Sequence, residues 1–463
     1  MKTKQADNPV NDTSPTNCSQ EDLDQIAQSH SLVDDEWETT LALIPTDLEQ
    51  SAQETKALQR RREVKCARDL LRLVLAYSIC DWSLRLVGLW AYLLGIGSLS
   101  DVAVMKRLQQ AQAWLKYLIM VMLTVHRVHL EAAHPVRVHV VDGSSISGPG
   151  SKGTDYRLHL SLDLDSGCID GVSVTDVHGA ETLTRYTSRP GDIWIADRGY
   201  ARRDGIGSVL ADDGHVVVRL AWATCPLEYS DGTSFALFPW LRDLPNDTPG
   251  EAQVAMTASQ GRFPLRLVAR RLPQQAAERA RRRIRRAASR KGKTPDKRTL
   301  EAAGYLIVVT SLPAAQWTAQ DILDLYRLRW QVELIFKRLK SLLHLDHLRA
   351  KGPALAQTYL LGKVLAALII DTMSNRAARR CPALFDLTER PVSPWRWTAL
   401  CRDVLRSAVR GSLSWRRLLD RLPYLKRYLC ISRRHDRPYQ VRVARNLLER
   451  LLGPQAVGPP SLS

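Results

Sequence analysis

VRVHVVD, residues 136–142, is a β-branched run that ends in a carboxylate, the make-up of a buried strand. DYRLHLSLDL (155–164) alternates apolar and polar residues with period two, and GCIDGVSVTDV (167–177) follows a tight Asp-Ser-Gly turn. Three consecutive strands of this kind form a meander. ETLTRYTS (181–188) predicts a short helix, DIWIAD (192–197) a fourth strand that also ends in an aspartate, RRDGIGSVLADDG (202–214) a second helical stretch and HVVVRLAW (215–222) a fifth strand. The order βββαβαβ is that of a mixed α/β sheet.

Residues 223–304 interrupt this sheet with two short candidate strands, EAQVAMTA (251–258) and RFPLRLVARRLP (262–273), and then RARRRIRRAASRKGKTPDKR (279–298), which holds eleven basic residues and one acidic. Without alternating Glu to neutralise it, the run reads as a phosphate-contacting arm or loop in preference to a merely solvated face. YLIVVTSL (305–312) resumes the sheet, and TAQDILDLYRLRWQVELIFKRLKSLL (318–343) reads as one amphipathic helix with Thr318 at its N-cap and Asp321 near its start.

On either side of the sheet the pattern turns helical. From 56 to 134 the stretches RDLLRLVLAYSICDW (68–82) and SLSDVAVMKRLQQAQAWLKYLIMVML (98–123) have helical spacing, with Ser100 or Asp101 as a cap. A DNA-reading helix-turn-helix competes there with plain core packing. The most apolar stretch, LVGLWAYLLGIGSL (86–99), is shorter than a bilayer span and reads as a buried helix. The polar, acidic segment 1–55 reads as largely disordered. The resulting division is 1–55, an acidic tail; 56–134, helical; 135–222, the first part of the sheet domain; 223–304, a β-rich basic insertion; 305–380, its second part; and 381–463, a basic helical region that includes WRRLLDRLPYLKRYLCISRRHDR (415–437).

The formal net charge is +18. Twelve acidic residues against Lys2 and Lys4 leave segment 1–55 at −10, so the rest carries about +28 and attracts polyanions. Because the basic residues are spread over separate segments and do not flank one hydrophobic anchor, nucleic acid is favoured over an acidic membrane. The eight cysteines are scattered without a CxxC pair, so neither a zinc site nor a disulfide framework follows, and reduced thiols in a cytosol are expected. The N-terminus does not have the pattern of a secretory signal.

Within the 318–343 helix, Tyr326, Arg329, Glu333 and Lys340 fall on one face, with Lys337 beside them. Alone, Arg329, Glu333 and Lys337 would read as a surface ladder of salt bridges. Asp142 and Asp197 change that weighting: each terminates an apolar strand and precedes a Gly-containing turn (DGSS, DRGY), where a carboxylate is costly unless paired or metal-bound. If the helix packs across those strand ends, Glu333 completes a cluster of three carboxylates. Hard oxygen ligands suit two Mg²⁺ or Mn²⁺ ions, the apparatus of phosphodiester chemistry.

The spacing Y-(2)-R-(3)-E-(6)-K, met by Tyr326, Arg329, Glu333 and Lys340, resembles the signature of the insertion-sequence-four group of bacterial DDE transposases, and the likeness extends to VVDGSS around Asp142, IADRGY around Asp197 and YLIVVTSLP. It spans residues 136–380. The resemblance implies a ribonuclease-H-like fold with a β-rich insertion. It implies Asp142, Asp197 and Glu333 as catalytic metal ligands, and backbone contacts to the transposon end from Tyr326, Arg329 and Lys340, with Lys337 alongside. It further implies cut-and-paste transposition of an element with terminal inverted repeats, in the cytoplasm of a bacterium at its nucleoid, by a homodimer holding two ends, with the C-terminal helices as a pairing surface. A nuclease that cuts without joining and a non-catalytic repressor are the competing readings.

Some relatives of this group stack a flipped base on an aromatic, for which Trp222, Trp240, Tyr305 and Trp317 are candidates that no motif separates from core packing. His344 and His347 have metal-like spacing but no companion ligands, Asp163, Asp165 and Asp176 read as turn and strand-edge residues, and Asp155 is a weaker candidate for the metal region.

Overall fold

Three strands, β1 (Val138–Ile146), β2 (Tyr156–Asp163) and β3 (Ile169–Asp176), form the antiparallel meander that the alternation predicts. In the computed structural model, which describes residues 36–44, 46–131, 137–151, 153–385, 392–411 and 446–447, β4 (Ile193–Ala196) and β5 (His215–Arg219) then add in parallel beyond β1. β6 (Gly250–Ala258), β7 (Gly261–Arg271) and β8 (Tyr305–Thr310) complete one eight-stranded mixed sheet in the order β3-β2-β1-β4-β5-β8-β7-β6. This is the mixed α/β, ribonuclease-H-like arrangement with helices on its flanks. Of the segment 1–55, expected to be largely disordered, residues 1–35 lie outside the described residues, as does the stretch 415–437. The described rest of that segment is ordered, with a helix at Leu48–Glu54 and with Trp37, Leu43, Ile44 and Ala52 buried in the main core, because these few apolar side chains find a partner surface that the segment's polar composition does not reveal.

The two strands of the insertion join the sheet; they do not interrupt it. β7 pairs along its length with β8, from Arg266 opposite Thr310 to Arg271 opposite Tyr305, and β6 forms the far edge. Alternation explains the fit: Leu265, Leu267 and Ala269 of β7 enter one core while Val268 enters the other.

Among the described residues, α1 (Leu48–Glu54), α2 (Ala67–Ile79), α3 (Leu84–Leu93), α4 (Asp101–Gln110) and the longer α5 (Gln112–Glu131) precede the sheet. Ser100 caps α4 as expected, its hydroxyl accepting from the Ala103 amide at 3.2 Å, but the run 98–123 breaks at Ala111. The expectation of a buried helix at 86–99 is corrected: α3 buries Val87, Gly88, Trp90 and Ala91, whereas Leu86, Leu89, Tyr92 and Leu93 are 42–70% exposed. Ten residues at 3.6 per turn present only one stripe to the α2–α4 core, and the apolar composition covers both faces.

Between the central strands, ETLTRYTS forms only a single 3-10 turn (Leu183–Arg185), where the Thr182 side chain takes the Thr184 amide that a longer helix would use. α6 (Arg203–Ala211) and α7 (Leu237–Arg242) flank the second core, and α8 (Gln274–Ser289) and α9 (Lys297–Ala302) carry the basic run. The stretch 318–343 is two helices, α10 (Ala319–Arg327) and α11 (Trp330–Leu343). Bonds from Leu328 to Leu325, Arg329 to Tyr326 and Gln331 to Leu328 tighten the junction into a three-residue turn. α12 (Pro353–Arg380), α13 (Pro382–Phe385) and α14 (Pro394–Arg410) follow. α12 has the length and composition of a membrane span, but 83% of its most apolar window is buried in this fold, where Tyr359, Leu365, Leu368 and Ile369 are core residues.

Candidate active site at the ends of the central strands

Strand parity fixes which side chains meet. Val138 and Val140 of β1, Ile193 and Ile195 of β4 and Val217 of β5 belong to the core that α10, α11 and α12 cover, while Val141, Trp194, Ala196, Val216 and Val218 face the opposite core. With period two, Asp142, Asp197 and Arg219 therefore project toward the helices. The last parallel pairs are Val141 with Ala196 and Ala196 with Val218, so the next residues along each strand, 142, 197 and 219, stand side by side about 4.8 Å apart per strand. Asp197 ends β4 as expected, but Asp142 does not end β1, which runs on to Ile146 along β2. Asp142 marks the point where β4 stops accompanying β1.

α10 and α11 close over this point. Thr318 and Asp321 form a reciprocal capping box that starts α10, and Ile322, Leu323, Leu325 and Tyr326 bury its inner face. In α11, Val332, Ile335, Phe336 and Leu339 pack on the sheet, with Glu333 in the first turn. The Tyr326 hydroxyl donates to Asp197 Oδ1 at 3.1 Å. Arg329 binds Glu333 Oε1 through Nη2 at 2.7 Å and reaches Asp142 Oδ2 through Nη1 at 4.0 Å. Three carboxylates from distant parts of the chain thus converge on one guanidinium.

Their protonation differs. Burial pushes Asp142 up to about 6, and the neighbouring Asp197 and Glu333 add to the effect against the Gly143 amide and Arg329. Asp197 is also raised by burial, yet the Arg198 amide, Arg329, Arg219 and the Tyr326 hydroxyl outweigh it and hold it below the usual carboxylate range. Tyr326 is pushed up to about 12 by burial and by Asp197.

Of the expected site residues, the structure brings together Asp142, Asp197, Glu333, Tyr326 and Arg329; Lys337, exposed, and Lys340, half-buried, lie one and two turns farther along α11. Arg219 was not singled out from the sequence. Its signal is a lone cation at the end of an apolar strand, which acquires meaning only once β4 and β5 are placed in register. Among the described residues no three Asp, Glu, His or Cys side chains form a ready-made metal cage, and the Arg329 guanidinium lies beside Asp142 and Glu333. The donors nevertheless fit a hard divalent cation: they are all carboxylate oxygens, and Asp142 is half-buried beside two further carboxylates.

The basic run is an α-helix where an arm or loop was expected. Only Ala277 of α8 is buried, so its arginines line the solvent side; Arg281 pairs with Glu278 and Arg298 stacks over Trp222 at 4.7 Å. Tyr305 and Trp317 are core residues, and Trp222 and Trp240 pack at the edge of the second core against Phe238 and Phe235. His344 ends α11 with a left-handed backbone, and its ring is 6.4 Å from that of His347. Asp155 accepts from the Gly148 amide across the β1–β2 turn. Asp163, buried, takes the Ser166 hydroxyl and the Asp165 amide, and Asp176 takes the His178 amide, as turn residues do.

Among the described residues the cysteines at 66, 80, 168, 225, 381 and 401 are free thiols. Residues 134–369 match the family model of the transposase DDE domain. The chain is 40% identical over 346 residues to the transposase for insertion sequence element IS421 of Escherichia coli, covering 73% of this chain and 93% of that protein. It is 24% identical over 305 residues to the transposase for insertion sequence element IS231F of Bacillus thuringiensis subsp. israelensis, 60% of this chain and 63% of that one.

Proposed function

The chain belongs to the transposase DDE domain family, and from that premise we propose that it is a cut-and-paste DNA transposase: it hydrolyses a phosphodiester at each terminal inverted repeat of its element and joins the freed 3′-OH to target DNA. The observation that carries the reading is the convergence of Asp142, Asp197 and Glu333 around Arg329.

Asp142, Asp197 and Glu333 would hold two divalent ions, Mg²⁺ or Mn²⁺, which when bound supply positive charge to the attacking and leaving oxygens of a phosphodiester. The chain's own residues do the positioning. Tyr326 fixes the rotation of the Asp197 carboxylate through its hydrogen bond, and Arg329, held by Glu333, presents its remaining donors to phosphate oxygens. Lys337 and Lys340 extend that cationic line along α11, and the arginines of α8 offer a second phosphate-binding surface. Helices within 56–134 would bind the transposon end, and region 381–463 would pair two protomers, since two ends must be held together. The place of action is the bacterial cytoplasm at the nucleoid.

The test is a strand-transfer assay with Mg²⁺ and a pre-cleaved transposon end that carries a free 3′-OH. Integration products are expected from the native chain, and Glu333→Gln abolishes them while its affinity for end DNA in a gel-shift assay stays within about threefold. Cleavage without any joined product would make the protein a nuclease, and end binding with neither reaction a repressor; either result overturns the proposal.

A further inference from the structure

One more carboxylate reaches the same strand ends from the other side of the sheet. Glu181, in the connection between β3 and β4, lodges against Gly143 and Gly199. A Cβ built on Gly143 would lie 2.9 Å from Glu181 Oε1, and a Cβ on Gly199 would run into Oε2. These glycines stand one residue past Asp142 and two past Asp197, in DGSS and DRGY. Since neither has a side chain, the Glu181 carboxylate lies directly against the backbone just beyond the two aspartates. Position 143 has the parity of Val141, which faces the second core, so Glu181 approaches from the face opposite Glu333.

Among the described residues no hydrogen bond or ion pair reaches the Glu181 carboxylate, although the side chain is half-buried. Behind it lies Tyr200, with no solvent exposure; its hydroxyl feels both Glu181 and Asp142, stands near the Tyr186 hydroxyl, and forms no hydrogen bond of good geometry. The Arg329 guanidinium is engaged by Glu333 and Asp142, and the Arg185 guanidinium by the carbonyl of Ala180. A carboxylate without a donor, a fully buried hydroxyl whose contact with Tyr186 falls short of good hydrogen-bond geometry, and two side-chain-free positions therefore surround one point beside Asp142 and Asp197.

We propose that Glu181 is a fourth carboxylate of the divalent-cation site, completing from the second face of the sheet what Asp142, Asp197 and Glu333 form on the first. The inference rests on the reading of Asp142 and Asp197 as cation ligands, and the experiment separates the two. Mn²⁺ binding to the full chain is titrated at pH 7.5 by the electron paramagnetic resonance signal of free Mn²⁺, without DNA, for the native chain, Glu181→Gln, Glu181→Asp and Asp142→Asn. We expect Glu181→Gln to weaken Mn²⁺ binding at least tenfold or to lose one ion, Glu181→Asp to keep part of it, and Asp142→Asn to lose it. Gly199→Ala, which keeps every charge but displaces the Glu181 carboxylate, should weaken Mn²⁺ binding in the same direction and serves if Glu181→Gln does not fold. Native-like binding by Glu181→Gln and Gly199→Ala, with loss in Asp142→Asn, overturns the role of Glu181 alone. Unchanged binding in Asp142→Asn, or no binding by the native chain, overturns the cation-site reading and this proposal with it.

Discussion

On the proposed reading, in which Asp142, Asp197 and Glu333 receive a cation, the site is strained without one, and Asp142 makes that measurable. Its folded-state pKa is raised from 3.8 to about 6, chiefly by burial and then by Asp197 and Glu333. Between those two pH values the native chain binds a proton that the unfolded chain has released. Stability therefore falls as pH rises from about 4 to about 6 and stays lower above that. At about 1.4 kcal/mol per pKa unit the penalty is ~3 kcal/mol in the metal-free protein at pH 7.5. Asp142→Asn removes the charge while keeping an oxygen for the Gly143 amide, which donates to Asp142 Oδ1 at 2.8 Å. Urea unfolding in EDTA at pH 4.0 and pH 7.5 is the assay, with the difference between the two proteins cancelling every other titration. The variant should match the native chain at pH 4.0 and exceed it by ~3 kcal/mol at pH 7.5. Equal stability at pH 7.5, or the same gap at both pH values, would refute the claim that these carboxylates are gathered at an energetic cost.

Two further outcomes test how the site is held. Arg266 of β7 is 5% exposed, pairs with Glu251 at 2.7 Å and donates to the carbonyls of Leu312 and Trp317, so it ties the insertion to the start of α10; Arg266→Met should cost about 3–5 kcal/mol of stability and speed amide hydrogen exchange at residues 312–318, and a native thermal midpoint with unchanged exchange would sink this reading. Lys363 of α12 is fully buried, donates to the carbonyl of His344 at the end of α11, and is driven by burial from 10.5 to about 7. Its lowered pKa means that the native chain binds fewer protons than the unfolded chain between those values, so this contribution grows as pH climbs from 7 to 10.5. In Lys363→Met that rise should shrink by more than about 2 kcal/mol, measured as denaturation midpoints at pH 7 and pH 9.5; parallel pH profiles would count against it.

The meander and central strands were legible because alternation in DYRLHLSLDL and the β-branched runs before Asp142 and Asp197 mark β structure directly, and the periodicity of 318–343 marked the helix bearing Glu333. Local pattern carries no information on pairing order. That the hairpin of β6 and β7 would join β8 depends on a long-range register, and the exposed face of α3 depends on which side its neighbours cover. Arg219 and Glu181 were invisible for the same reason. Arg219 becomes a neighbour of Asp197 only through the β4–β5 register, and the sole trace of Glu181 is the pair of glycines that leave it room. The break at Leu328–Arg329 escaped because neither residue is a helix breaker; its three-residue hydrogen bonds come from packing α10 and α11 on different parts of the sheet.

Charge at the strand ends sets how DNA and cation depend on one another. Asp142, Asp197 and Glu333 bring three negative charges and Arg329 and Arg219 two positive ones, so the pocket is negative within a body that carries about +28 beyond residue 55. A phosphate drawn in along Lys337, Lys340 and the arginines of α8 is attracted over most of its path and repelled over the last few ångströms, where Coulomb terms at low dielectric are largest. On the proposed reading, Asp142, Asp197 and Glu333 would hold a divalent cation that reverses that local sign, so that phosphate and cation would each raise the other's affinity, as linkage requires. Glu333→Gln removes one repulsive charge and frees Arg329 from its ion pair, which strengthens the attraction of the bare protein for phosphate while withdrawing an oxygen from the cation. On that reading, affinity for DNA and competence for chemistry rest on opposite charges in the same helix, and a single substitution in α11 is expected to separate them.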